Sequence, residues 1–307
     1  MYTRPVMKKL ALALLAATAI VAQKTDNPFL GRWDLNITPP NGAAYPDWIE
    51  VTDTGGKLAA RIQPRGGGAF SAESVQTEGS RLIVNARQGT RWELSVEGGK
   101  LVGAIKHGDT GQGTIAGVRA PLLNRPMPKA WNNPEPIFNG KDLTGWEPVG
   151  NAPNHWVVKN GELLNEEHGA NLRSTRKFQD FKLHIEYNCP DKGNSGIYLR
   201  GRYEVQVEYE PVDENDRFHS IGAIYSFVPA MVDLPRKPGT WESFDITLVG
   251  RHVTIIRNGV KTIDNQEIPS ITGGALDSNE GEPGPFYLQG DHTGGMLYRN
   301  ITVQLPK

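Results

Sequence analysis

The stretch Arg202-Tyr203-Glu204-Val205-Gln206-Val207-Glu208-Tyr209 alternates polar and apolar side chains without a slip. Successive side chains of a β-strand point to opposite faces, so Tyr203, Val205, Val207 and Tyr209 line one face and Glu204, Gln206 and Glu208 the other. The apolar face suits a core. The other carries two carboxylates around an amide, where a strand face that merely meets water carries Thr, Ser and Lys.

The same alternation extends to other segments. Leu183, Ile185 and Tyr187 alternate with His184 and Glu186, and Ile197 and Leu199 with Tyr198 and Arg200. Phe286 and Leu288 alternate with Tyr287, Gln289 and, if the strand continues, Asp291. Planar hydrogen-bonding groups beside rings to stack on suit a sugar. These polar faces are therefore expected to build one concave site for an oligosaccharide or glycoside. Turns at strand ends are expected to complete it: Asn194-Ser195-Gly196, the run from Gln289 through Asp291 and His292 to Gly295, and His219 in the loop before Gly222-Ala223-Ile224-Tyr225. Asn194 and Ser195 also suit plain turn chemistry. His155, His168 and His252 have no supporting constellation and read as structural.

Strand-like rather than helical periodicity, with 35 Gly and 22 Pro in 307 residues, predicts an all-β chain rich in turns. Residues 134–307 hold many antiparallel strands and no convincing amphipathic helix, the pattern of a two-sheet jelly-roll sandwich, with Asn258-Gly259 marking a type I′ hairpin. Residues 27–120 read as a meander with Gly-rich turns. Gly31-Arg32-Trp33 and Arg119 loosely resemble the calycin pattern, in which a first-strand Trp packs beneath a late Arg. A small barrel is expected there, since closure removes exposed edges. His107, Asp109 and Gly66-Gly67-Gly68 read as exposed loop features. Pro121, Pro126 and Pro128 open a run of prolines that no central strand or helix tolerates, and residues 121–133 read as an extended linker.

At the start, Lys8-Lys9 precede an apolar run from Leu10 to Ala22, after which the sequence turns polar. That order predicts a signal peptide over residues 1–22 and an exported protein, periplasmic or secreted. The run is too short for a membrane span, so none is expected once it is removed. A net charge of -1 offers no footing for nucleic acid. Cys189 is the only cysteine, which leaves no intramolecular disulfide.

Phe138-Asn139-Gly140-Lys141-Asp142-Leu143-Thr144-Gly145-Trp146, the run Gly193 to Arg200 with the strand that follows, Gly222-Ala223-Ile224-Tyr225, Trp241-Glu242-Ser243-Phe244-Asp245, Leu288 to His292 and Tyr298-Arg299-Asn300-Ile301 carry a resemblance to the 3-keto-disaccharide hydrolase domain family. The match covers about residues 134–305 in consistent order. It implies a concanavalin-like jelly roll acting on glycosides already oxidised at C3. It implies nothing for residues 27–120 and assigns no catalytic set.

The chemistry such a substrate needs can be set against the residues. A ketone at C3 acidifies the hydrogen at C2; its removal gives an enolate whose collapse expels the C1 substituent, and water then adds. That calls for a base near neutrality, a group to hold the enolate oxygen and a proton donor. Glu204, Glu208 and His292, with Asp291 beside it, are the catalytic candidates. Tyr198 and Arg200 are candidates to hold the enolate oxygen, Gln206 and Gln289 to orient hydroxyls, and Glu186, Asn194, His219 and Tyr287 to bind sugar. A divalent metal remains open, since Glu, Asp and His supply fitting ligands but no spacing is diagnostic. Direct hydrolysis is the rival enzyme reading, because laminarinases and lichenases carry Glu-x-Asp-x-Glu on one strand; here Gln206 takes the middle place. Residues i and i+4 on a strand stand roughly 13 Å apart at Cα, wide for the carboxyl pair of a glycosidase. A carbohydrate-binding module without catalysis is the third reading.

Overall fold

Tight turns set the first half of the chain. Gly55-Gly56 and Gly98-Gly99 all have positive φ, a backbone that side chains resist, and each pair closes a two-residue hairpin whose twist matches its strands. The computed structural model describes residues 27–63, 65–210 and 216–307. The expected signal peptide lies outside the described residues. Nine strands follow: β1 Gly31–Thr38, β2 Tyr45–Thr54, β3 Lys57–Gln63, β4 Phe70–Ser71, β5 Ser74–Glu78, β6 Arg81–Asn85, β7 Thr90–Glu97, β8 Lys100–His107 and β9 Thr110–Arg119. They form one sheet in the order β4-β3-β2-β1-β9-β8-β7-β6-β5.

Its two end strands belong to one short run of chain. Within that run Ala72 N–H donates to Ala60 O at 2.8 Å and Glu73 N–H to Asn85 O at 2.8 Å. The sheet thus closes into a barrel around Trp33, Leu35, Ile49, Ile62, Leu82 and Leu94. The Arg119 guanidinium lies 3.8 Å from the Trp33 ring centroid and donates to the carbonyls of Pro28 and Leu30, the Trp-beneath-Arg arrangement anticipated above.

The second half is a sandwich. Its strands are β10 Glu135–Pro136, β11 Trp146–Val149, β12 Trp156–Lys159, β13 Glu162–Asn165, β14 Asn171–Ser174, β15 Phe181–Asn188, β16 Asn194–Leu199, β17 Tyr203–Glu208, β18 Trp241–Val249, β19 His252–Arg257, β20 Val260–Glu267, β21 Tyr287–Leu288 and β22 Met296–Gln304. A larger sheet runs β12-β13-β22-β15-β18-β19-β20, with β10 against β22, and a smaller one runs β11-β14-β21-β16-β17. Leu183, Ile185 and Tyr187 from the larger sheet meet Ile197, Val205, Val207 and Leu288 from the smaller one in a shared core. Asn258 and Gly259 both take positive φ in the β19–β20 turn, as a type I′ hairpin requires. Cys189 is free and buried, and burial pushes its thiol up to about 12. Among the described residues no helix is long and apolar enough to cross a membrane.

Residues 121–133 lie against the sandwich rather than away from it: Leu123 is buried, Arg125 pairs with Asp180 at 3.3 Å, and Trp131 bridges to Pro306. The barrel docks directly as well. Trp48 points out of the barrel into the sandwich core, edge-on to Phe227 at 5.6 Å, with Arg61 over both rings. Arg32 reaches Glu267 at 2.5 Å.

Deeper in this junction, Asp34 from β1 faces Glu280. Glu280 already accepts from Tyr203 at 2.6 Å and pairs with Arg251 at 2.6 Å. Burial first, and then the Glu280 carboxylate, hold the Asp34 carboxyl well above the usual range, against the pull of Arg251 and Arg202. The folded state therefore binds a proton that the unfolded chain releases near its ordinary pKa of about 3.9. Its stabilising share is full below that pH and is lost as pH rises toward the folded value. In urea titrations, stability is expected to fall from pH 5 to pH 9 with a slope of up to about 1.4 kcal/mol per pH unit from this group. Asp34→Asn is expected to flatten the curve. Parallel curves for the two proteins would show that Asp34 carries no such proton.

Candidate active site

The β16–β17 hairpin builds the floor. Its register pairs Asn194 with Glu208, Gly196 with Gln206 and Tyr198 with Glu204, which sets the polar side chains of both strands on one face. The Tyr198 hydroxyl donates to Glu204 Oε2 at 2.8 Å. Gly196 is there for space, because a Cβ on it would sit 2.3 Å from Glu204 Oε1. The free edge of β17 is covered by the segment carrying Tyr225: Gly222 N–H donates to Gln206 O at 2.8 Å and Tyr225 N–H to Glu204 O at 3.0 Å.

Three further pieces wall this face. After β21 the chain brings in Gln289, Asp291 and His292, and Asn171 of β14 holds it there. The Asn171 amide oxygen accepts from Gly290 N–H at 2.6 Å and Asp291 N–H at 3.1 Å, while its NH₂ donates to Tyr287 Oη at 2.5 Å and Asp291 Oδ2 at 3.1 Å. From the opposite side comes His219, its Nδ1 2.5 Å from Asp216 Oδ2 and its ring edge-on to Tyr225 at 4.6 Å. Gly66, Gly273 and Gly274 close the remaining side. Together these groups line an open cavity of about 280 Å³.

Electrostatics gives each group a different readiness. Glu204 is 4% exposed, and this burial raises its carboxyl to about 7, although the Tyr198 hydrogen bond and His292 pull it down. Burial also raises Glu208 to about 7 against Arg236, whose guanidinium stands 3.8 Å away. The Asp291 hydrogen bond raises His292 above an ordinary imidazole despite burial. Burial works against ionised Asp291, but hydrogen bonds from His292 and Asn171 outweigh it and hold its carboxyl low. The site thus combines two carboxyls balanced near neutrality with an imidazole whose protonated form a neighbouring carboxylate favours. Gln206 Oε1, Glu208 Oε1 and Gln289 Oε1 are buried here without a hydrogen-bond partner among the described residues, Glu208 Oε1 having only the Arg236 guanidinium at 3.8 Å.

Of the residues singled out in the sequence, Glu204, Glu208, Asp291, His292, Asn194, Tyr198, Gln206, His219 and Gln289 all line this one cavity. Tyr287 stands behind it, edge-on to Tyr198 at 4.8 Å. Two residues belong elsewhere. Glu186 lies on β15 of the larger sheet, where Arg299 and Asn300 hold its carboxylate. Arg200 follows the end of β16 and takes a φ of 55°, so the alternation stops before it. Its side chain is fully buried beneath the floor, donating to Tyr203 Oη and Gly250 O. Neither can touch a ligand in the cavity. The Gly66-Gly67-Gly68 run lies in a turn as expected, with Gly66 exposed and Gly67 and Gly68 half-buried; that Gly66 also lines the cavity was not anticipated. Asn171, Tyr225, Gly273 and Gly274 were not anticipated; an Asn opening a strand, where it is disfavoured, was the one signal for the first. Among the described residues no group of three or more His, Cys, Asp or Glu is arranged to hold a metal ion.

Residues 133–304 match the family model described as a 3-keto-alpha-glucoside-1,2-lyase-like domain. That is more than half of the chain, and the chain belongs to this family. It is 23% identical to a 3-keto-disaccharide hydrolase of Bacteroides thetaiotaomicron, with 36% of this chain aligned to 50% of that protein. The chain thus spans about half the length of the curated relative it matches. A Parabacteroides distasonis crystal structure, described provisionally as a glycosyl hydrolase, is 27% identical and covers 59% of this chain and 92% of its own, with a TM-score of 0.49. The carbohydrate-binding module CBM66 of Bacillus subtilis is 15% identical and covers 53% and 97%, with a TM-score of 0.37.

If the Asp291 hydrogen bond is what raises His292, Asp291→Asn is expected to lower the His292 midpoint in an NMR titration toward that of a free imidazole. A midpoint that stays in place would remove Asp291 from that role.

Proposed function

We propose that this member of the 3-keto-alpha-glucoside-1,2-lyase-like family cleaves glycosides bearing a ketone at C3, by elimination across C1 and C2 followed by hydration. The observation that carries the reading is the buried Glu204 carboxyl, raised to about 7, in a sugar-sized cavity beside an imidazole raised by its own carboxylate. Such a carboxylate is a base matched to a carbon acid at neutral pH.

Glu204 takes the C2 hydrogen as a proton, and the electron pair of that bond moves to the C3 oxygen as an enolate. His292 or the Tyr198 hydroxyl donates a hydrogen bond to that oxygen. As the carbonyl reforms, the pair enters the C1–C2 bond and the C1–O bond breaks. The departing oxygen takes a proton from a neighbouring acid, for which protonated Glu208 or His292 is suited. Water then adds its oxygen to C1 and gives one proton back to the acid that protonated the leaving oxygen, and C2 recovers a proton from Glu204. The sum is substrate plus water giving two sugars. Gln206, Gln289 and Asn194 hold the ring hydroxyls. The apolar run after Lys8-Lys9 supports placing this reaction outside the cytoplasm.

One observation favours a second reading. Glu204 is raised while Asp291 is lowered, and carboxyls driven apart in this way are what a direct glycosidase uses as acid and base. The two readings differ in sign. With Glu204 as base, kcat/KM has a rising limb near pH 7, beside a falling limb where Glu208 serves as the acid; with Glu204 as acid, the change near 7 is a fall alone. Purified protein should turn over a 3-keto-disaccharide and leave the plain disaccharide intact. Glu204→Gln should lower that turnover about 10²–10⁴-fold while calorimetry still detects sugar binding. Cleavage of the plain sugar, with no rising limb near pH 7, would establish the glycosidase instead. Binding without turnover of either would leave a binding module.

A further inference from the structure

We propose that the barrel is a wall of the active site: its loop, residues 65–69, ends the cavity so that only a terminal sugar ring fits, not one inside a longer chain. This rests on the reading above and adds to it the size and end-group class of the substrate.

The contact is made backbone on backbone. Gly66 N–H donates to Gly273 O at 2.7 Å. A Cβ on Gly273 would meet Gly67 O at 2.5 Å and Gly67 N at 2.8 Å, and one on Gly68 would meet His219 Nε2 at 2.8 Å and Ser226 Oγ at 3.0 Å. Gly274 next door lies so close to the Tyr198 hydroxyl that a Cβ there would sit 2.1 Å from it. Glycine on both sides therefore lets the barrel loop press against the strip of chain that touches the residue holding Glu204. The loop is anchored at its root, where Gln63 Nε2 donates to Gly67 O and Trp48 and Arg61 pack on Phe227.

This wall lies outside residues 133–304, the part of the chain that matches the family. The cavity it completes, about 280 Å³, falls just below the roughly 300–1,000 Å³ common for ligand pockets. It suits one ring with part of its leaving group. A further sugar on the Gly66 side would meet the loop.

The test uses the purified full chain, Gly273→Ala and Gln63→Ala. Gly273→Ala pushes the loop off its seat, and Gln63→Ala cuts its anchor should the first variant fold poorly; thermal melts establish which variants are folded. Two probes are compared: a disaccharide oxidised at C3 of its terminal ring, and a trisaccharide oxidised at C3 of its central ring. The wild type is expected to prefer the first by at least about 100-fold in kcat/KM, and a folded variant to narrow that preference about tenfold or more, as a wall displaced by about 1 Å would. Equal use of both probes by the wild type, or an unchanged ratio in the folded variants, overturns the proposal. If the wild type cleaves neither, the chemistry proposed above fails and calorimetry with the unoxidised sugars decides the wall. Tighter binding of the disaccharide, weakened by the variants, supports it; equal binding or none sinks it.

Discussion

β17 is buried on both of its faces, and most of the molecule follows from how each face is covered. Tyr203, Val205 and Val207 enter the sandwich core, which fixes the strand in register and height. The opposite face holds Glu204, Gln206 and Glu208, each no more than 5% exposed. Taking carboxylates out of water is costly unless they are paired or protonated. Here the compensation is partial: one tyrosine hydroxyl for Glu204, a distant guanidinium for Glu208. The result is a pair of acids that exchange protons readily near neutral pH, with the fold's stability, drawn from the apolar face, offsetting the expense.

Much of this was legible in the alternation of a single octapeptide, because a strand with two distinct faces writes both into its sequence. Glu204, Gln206 and Glu208 were identified together for that reason, and Tyr198 by the same alternation in the preceding strand. Alternation assigns a face, however, and not a sheet, which is why Glu186 was grouped with residues it never approaches. It also ends where the strand ends. Arg200 keeps the parity of Tyr198 in sequence and loses it in space, since one left-handed residue redirects the side chain. Contacts between glycines carry no local signature at all. Gly66 and Gly273 are some two hundred positions apart, and nothing near either announces the other.

Asn171 shows a different limit. Its amide joins four groups of the far wall, including both the Asp291 carboxylate and the Tyr287 hydroxyl. In sequence it is one polar residue opening a short strand. Its importance comes from two-sided hydrogen bonding, acceptor on one side and donor on the other, which only the folded chain reveals. The histidine that Asp291 steadies owes its position to this amide as much as to its own loop.

Trp48 has a consequence for how such a protein is inherited. The prolines from Pro121 onward look like a seam at which two modules were joined, yet the indole of the first lobe is a core residue of the second. Moved to another partner, the barrel would carry a large apolar ring into water, and the sandwich alone would be left with an uncovered Phe227. The two lobes are therefore not interchangeable parts: any descendant that exchanges one must also rebuild the other's surface.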